Sequence, residues 1–160
     1  PATRAKIRQH RAVYRKLWQN FVLVADRCHA NGGRIAIEWP RTCMYWRDRR
    51  VTKHLRRWGL ESFRLDGCRF GLQSQAVATQ GMLLRKPWRI ASDCADFWRI
   101  ADTCNHRPEE HVKTAGRDTK RTESYTTALC QGIHTVWQCH VLPIMERTAT
   151  GGYYYEPEGL

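Results

Sequence analysis

The stretch Gly33-Arg34-Ile35-Ala36-Ile37-Glu38-Trp39-Pro40 decides how the rest of the chain is read. Ile35 and Ile37 are β-branched and suit a pleated, half-buried surface. Gly32-Gly33 marks the turn before them, and Pro40 ends the ladder because it has no N–H to donate. The stretch reads as a short central strand that delivers Glu38 to its own C-terminal end. In open α/β sheets, ligands bind outside the carboxyl ends of the strands, which makes Glu38 a candidate catalytic residue. Solvation of a strand end, or capping of the next helix, fits the strand pattern equally well.

Working outward, the apolar residues Tyr14, Leu17, Trp18, Phe21, Val24, Ala25 and Cys28 recur at spacings of three and four and predict a helix over residues 4–30. Its first turns carry Arg4, Lys6, Arg8, Arg11, Arg15 and Lys16, a solvated face or a row of phosphate contacts. On the other side of the strand, Asp48 is placed to cap a helix from Arg49 to Trp58 that Gly59 ends. Its apolar stripe is Val51, Leu55 and Trp58, with Arg49, Arg50, Lys53, Arg56 and Arg57 projecting elsewhere as candidate nucleic-acid contacts. Residues 61–72 alternate around Phe63, Leu65, Cys68 and Phe70 as one or two strands, with Gly67 as a bulge or point of close approach.

Lys86 to Ala91 predicts a further strand, after which Ser92 or Asp93 caps a helix through Phe97, Trp98 and Ile100. Thr122 or Ser124 opens a last helix to about His140, and Pro143 closes it. The expected fold is therefore α/β, a short central sheet flanked by helices in the manner of a Rossmann-like half domain, forming one domain over residues 1–145. Residues 146–160 have no period and read as a tail, disordered or adding a strand.

The chain has 160 residues, enough for one domain with a core, and 27 Lys+Arg against 15 Asp+Glu give a formal charge of +12. Such a balance favours polyanionic partners, nucleic acid foremost, through counterion release and long-range steering. Membrane partners are not expected, because no apolar run approaches the roughly 18 residues of a spanning helix. The basic N-terminal residues lead into no apolar segment of the secretory kind. Seven dispersed cysteines, an odd number, point to reduced thiols and an intracellular compartment, the nucleus if the source is eukaryotic.

Two constellations could carry chemistry. Cys104, His106 and His111, with Cys94 as the nearest upstream thiol, offer a zinc-ligand set or a hydrogen-bonded structural pair of histidines. Glu38 and Asp66, both at predicted strand ends, could hold a divalent ion for phosphodiester hydrolysis.

The middle of the chain also resembles the C-terminal half of the catalytic domain of phage-type DNA cytosine-5 methyltransferases, with similar stretches in polyproteins of mobile elements. In that family a strand ends in Glu-Asn-Pro or Glu-Asn-Val, where Ile37-Glu38-Trp39-Pro40 stands here. The family's Tyr-Cys-Gln-Tyr-Gly and Arg-x-Lys-Pro-Thr are similar to Gly67-Cys68-Arg69-Phe70-Gly71 and Arg85-Lys86-Pro87-Trp88. Its later Cys-His segment, Gly and basic stretch are similar to Cys104-Asn105-His106, Gly116 and Lys120-Arg121.

The resemblance implies that Glu38 grips a flipped cytosine and that Arg69, Arg85 and Lys86 support the nucleophile loop and the DNA backbone. It favours DNA over RNA as partner. Trp39, Arg69 and Trp88 depart from the family's Asn, Gln and Thr, and the sequence contains neither a Pro-Cys nucleophile nor a Gly-rich cofactor turn. The expectation is a nucleic-acid-binding domain similar to the target-base half of such an enzyme. It would be inactive without a separate N-terminal half and would not bind S-adenosylmethionine alone. A metal-dependent nuclease and a structural packaging protein of a mobile element are the alternatives.

Overall fold

The computed structural model describes residues 2–113, 122 and 124–150. A long helix α1 (Ala2–Ala30) leads into β1 (Ala36–Pro40), then α2 (Arg49–Arg57), β2 (Glu61–Asp66), β3 (Pro87–Ser92) and α3 (Thr127–Thr150). Short 3-10 turns at Met44–Arg47, Gly67–Phe70, Ala95–Ile100 and Pro108–Glu110 shape the connections.

The three strands form one sheet in the order β1-β3-β2, antiparallel at both pairings. The expected mixed α/β class and the short sheet flanked by helices are present. The Rossmann-like detail is not: such a half is built from adjacent parallel strands, whereas here β3 runs between β1 and β2 in the opposite sense. β1, α2 and β2 form a split β-α-β unit, two strands of like direction separated by a later strand inserted between them.

Register assigns the two faces. Glu38 and Phe63 lie opposite Ile90, and Pro40 and Leu65 opposite Trp88, so these side chains share one face. Phe63, Leu65, Trp88 and Ile90 pack there against Phe97, Leu129 and Val136, which places the Ala95–Ile100 turn and α3 over this side. The other face presents Ile37 and Ala91 to Trp18 and Ala25 of α1 and to Val51 and Leu55 of α2. β3 is the central strand, and its neighbours cover both of its faces and both of its edges.

Local chemistry explains the element ends. Asp48 accepts the backbone N–H of Arg50 at 2.9 Å and caps α2 as its position predicts, and Gly59, at φ +64°, ends that helix. Asp93 accepts the N–H of Ile35 at 2.8 Å while Ser92 Oγ donates to the Ile35 carbonyl at 2.8 Å, tying the entry of β1 to the exit of β3. Gly67 is a point of close approach: a Cβ there would sit 2.7 Å from Leu72 Cδ2 and 3.2 Å from the Trp88 ring.

Several expectations change in detail. Residues 61–72 form one strand and a 3-10 turn, and the segment after Asp93 is a 3-10 turn rather than an α-helix. The last helix is capped by Thr126, whose Oγ1 accepts the N–H of Leu129 at 3.2 Å, not by Thr122 or Ser124. It continues through Pro143 to Thr150, so residues 146–150 of the expected tail are helical. Proline's fixed φ is itself helical, and its ring removes one ladder hydrogen bond without forcing a stop. The remainder of the tail, with its tyrosines, lies outside the described residues.

Leu65 has no exposed surface, whereas Leu23 on α1 is 70% exposed. Leu65→Ala is expected to lower unfolding free energy by about 2–5 kcal/mol and Leu23→Ala to change it by no more than about 0.5, measured by urea denaturation.

Candidate metal centre

β2 ends in Asp66, and the chain turns at once through the 3-10 segment Gly67–Phe70, which Gly71 closes at φ +74°. That turn buries Cys68 directly beneath the end of the sheet. From the other side, the segment after the Ala95–Ile100 turn brings in Cys104 and His106, and the Pro108–Glu110 turn returns His111 to the same point. The sulfur atoms of Cys68 and Cys104 and one ring nitrogen each of His106 and His111 all lie within 4.8 Å of one another. Cys104 Sγ is 3.3 Å from His106 Nδ1 and 3.3 Å from His111 Nε2.

Those separations suit ligands of one tetrahedral ion. Metal–sulfur and metal–nitrogen bonds of about 2.3 and 2.0–2.1 Å put adjacent sulfur and nitrogen ligands about 3.6 Å apart. The surrounding groups hold the ligands in a competent state. His111 Nδ1 faces the Arg107 carbonyl at 3.1 Å, so it carries the ring proton and leaves the Nε2 lone pair for an ion. The N–H of Arg107 donates to Glu110 at 2.7 Å, fixing the turn that carries His111. Burial and the adjacent Cys104 push the Cys68 thiol up to about 12. An ion bound between the buried Cys68 and the half-buried Cys104 would displace their thiol protons.

Arg69 and Asp66 join the two ligand-bearing segments. Arg69 donates to Asp102 at 2.7 Å and to Asn105 at 3.0 Å, bracketing Cys104 from the residue next to Cys68. Asp66 is fully buried and accepts the Cys104 N–H at 2.9 Å and Arg85 Nε at 3.3 Å, with Arg41 at 3.5 Å completing its charge compensation.

Cys94 is not the fourth member of this group. It lies with Asp96 and His140 in a separate cluster. There Arg34 donates to His140 Nε2 at 2.6 Å, so in the neutral ring the proton sits on Nδ1, which faces Asp96 at 3.9 Å. No ring lone pair is left for an ion. Cys94 packs in the core with Leu129 and Val136, and the Arg34–His140 hydrogen bond ties α3 to the entry of β1.

The proposed acidic pair is not brought together. Glu38 stands opposite Ile90 on one edge strand and Asp66 opposite Pro87 on the other, on opposite faces of the sheet. Glu38 accepts from the Tyr125 hydroxyl at 2.5 Å, beside an apolar cavity of about 110 Å³ that Trp88, Phe97 and Leu129 help to line. Its other carboxylate oxygen is buried and has no hydrogen bond among the described residues. Lys86 borders a different cleft, of about 700 Å³, along with Arg85, Lys113 and the ligands Cys104, His106 and His111.

Of the cations nominated on the sequence, Arg50, Arg57, Arg69 and Arg85 are held by Asp48, Asp26, Asp102 and Asp66. Lys86 donates to the Thr122 carbonyl. Arg49, Lys53 and Arg56 are exposed on α2 and have no ion pair among the described residues. Gly116, Lys120 and Arg121 lie outside the described residues. Sequence reasoning passed over Cys68, although a cysteine set between two glycines at the end of a strand is the signal that could have marked it as turn-borne. No family model, curated protein or solved structure matches the chain. No described helix is long and apolar enough to cross a membrane.

Substituting ligands separates the two cysteines. Cys68→Ser is expected to abolish stoichiometric metal in purified protein, by elemental analysis, and to lower the melting temperature. Cys94→Ser should retain the metal, so loss of metal from Cys94→Ser alone would restore the other assignment.

Proposed function

We propose that the chain is a nucleic-acid-binding domain whose sheet end is stapled by a structural zinc ion. Two thiolates and two imidazoles at tetrahedral spacing suit zinc, and four protein ligands close the coordination sphere. Cys68, Cys104, His106 and His111 would hold the ion, with Arg69 and Asp66 supporting them. The bound ion cross-links the chain over a loop of 36 residues, from Cys68 to Cys104, and supplies folding energy rather than catalysis.

The observation that carries nucleic-acid binding is where the unpaired charge lies. Near the metal centre Arg41 and Arg85 are paired with Asp66 and Arg69 with Asp102, whereas Lys6, Arg8, Arg11, Arg15 and Arg47 line one groove and none has an ion-pair partner among the described residues. Asp48, which also lines the groove, is bound by Arg50 at 2.6 and 3.0 Å. Concentrated, uncompensated cations release counterions from a polyanion and so favour its binding. The resemblance to cytosine methyltransferases makes DNA the first polymer to test. The chain alone is proposed to bind without methylating, because it contains no Pro-Cys nucleophile.

Titrating a labelled oligonucleotide by fluorescence anisotropy at several salt concentrations tests the reading. If all five cations engage phosphates, log K should fall against log salt with a slope of about −4.5 for a duplex and about −3.5 for a single strand. A slope near zero, or no binding at low salt, would remove nucleic acid as the partner.

A further inference from the structure

We infer that the groove between the first half of α1 and the Met44–Arg47 turn is a site for single-stranded nucleic acid, with a base stacked at His10 and Tyr45. This inference rests on the nucleic-acid reading above and adds to it a location, a strandedness and a contact. The groove has a volume of about 1000 Å³, and its cations lie on both walls: Lys6, Arg8, Arg11 and Arg15 on α1, and Arg47 on the turn.

Between those walls lies an ordered aromatic stack. Tyr45 and Tyr14 are face to face, with ring centroids 3.4 Å apart and planes 7° from parallel. Trp18 continues the stack behind Tyr14 at 6.4 Å and is itself buried in the core. On the groove side, the exposed ring of His10 lies 6.2 Å from Tyr45 and within 21° of parallel. The turn that carries Tyr45 is anchored beside it: Trp46 is buried and donates from Nε1 to the Pro40 carbonyl at 3.0 Å. The platform is therefore ordered before any ligand arrives, which lowers the entropy cost of stacking on it.

Cations flanking a fixed aromatic surface are the arrangement that grips a strand by its phosphates and an unstacked base by its π-face. A duplex keeps its bases stacked inside and offers this platform nothing but phosphate. Neither the metal ligands nor Glu38 contributes to the groove, so the site is separate from both.

The test compares a labelled mixed-sequence single strand with its duplex, using the full chain loaded with zinc. The single strand should bind at least tenfold more tightly. His10→Ala, at an exposed helix position, and Tyr45→Leu should each weaken single-strand binding roughly tenfold while leaving duplex binding unchanged. Lys6→Gln with Arg11→Gln should flatten the salt slope by about 1.4 for the single strand. A Tyr45→Leu protein with a lowered melting temperature is set aside in favour of His10→Ala, which leaves the core intact. Equal affinity for duplex and single strand, or unchanged single-strand affinity in His10→Ala and in the Lys6/Arg11 variant, overturns the groove while leaving nucleic-acid binding in place. Absence of binding to either polymer at low salt overturns both.

Discussion

The hydrogen bond from the Cys104 N–H to Asp66 is the contact on which the lower half of the molecule turns. Asp66 closes β2 and has no exposed surface, so its charge must be compensated inside the protein. Arg85 arrives from the segment before β3, Arg41 from the residue after β1, and the Cys104 backbone from the far loop. One carboxylate thereby fixes four parts of the chain at one end of the sheet. Because Cys68 follows Asp66 by two residues, the same constraint sets the two cysteines side by side.

The sheet explains why this meeting point exists. With β3 inserted between β1 and β2, both outer strands end on the same side, where β3 begins at Pro87. The ends of β1 and β2 and the start of β3 converge on the ligand turn. At the opposite end, Asp93 and Ser92 tie β3 back to Ile35, close to the helices. The molecule thus has a polar, cross-linked end at the candidate metal centre and a separate basic and aromatic face where α1 runs past the Met44–Arg47 turn. Charge follows a similar division: carboxylates hold Arg41, Arg69 and Arg85 near the ligands, and the first turns of α1 leave their cations exposed.

Much of the fold was legible in the sequence, because it depended on local chemistry. The Gly-Gly turn before β1, the Asp48 cap, the stop at Gly59 and the strand after Pro87 all follow from properties of single residues and short periods. Strand direction did not, since alternation reports which face a residue takes and not which neighbour it pairs with. The candidate site was legible in three of its four ligands, which lie within eight residues of one another. Cys68 is distant in sequence and sits in an apolar alternating stretch, so it read as core; Cys94 was nearer along the chain but faces the other cluster. The cations of α2 stood out by density, yet density says nothing of carboxylates that approach from elsewhere. Asp26, Asp102 and Asp66 reach Arg57, Arg69 and Arg85 across 19 to 33 residues of sequence.

X-ray absorption at the zinc edge of the purified protein supplied with zinc tests the proposed zinc site most directly, because it counts ligands by element. The expected first shell is two sulfur atoms at about 2.3 Å and two nitrogen atoms at about 2.0 Å, with one sulfur lost in Cys68→Ser. A shell of nitrogen and oxygen alone, or a sulfur count unchanged in Cys68→Ser, would contradict it.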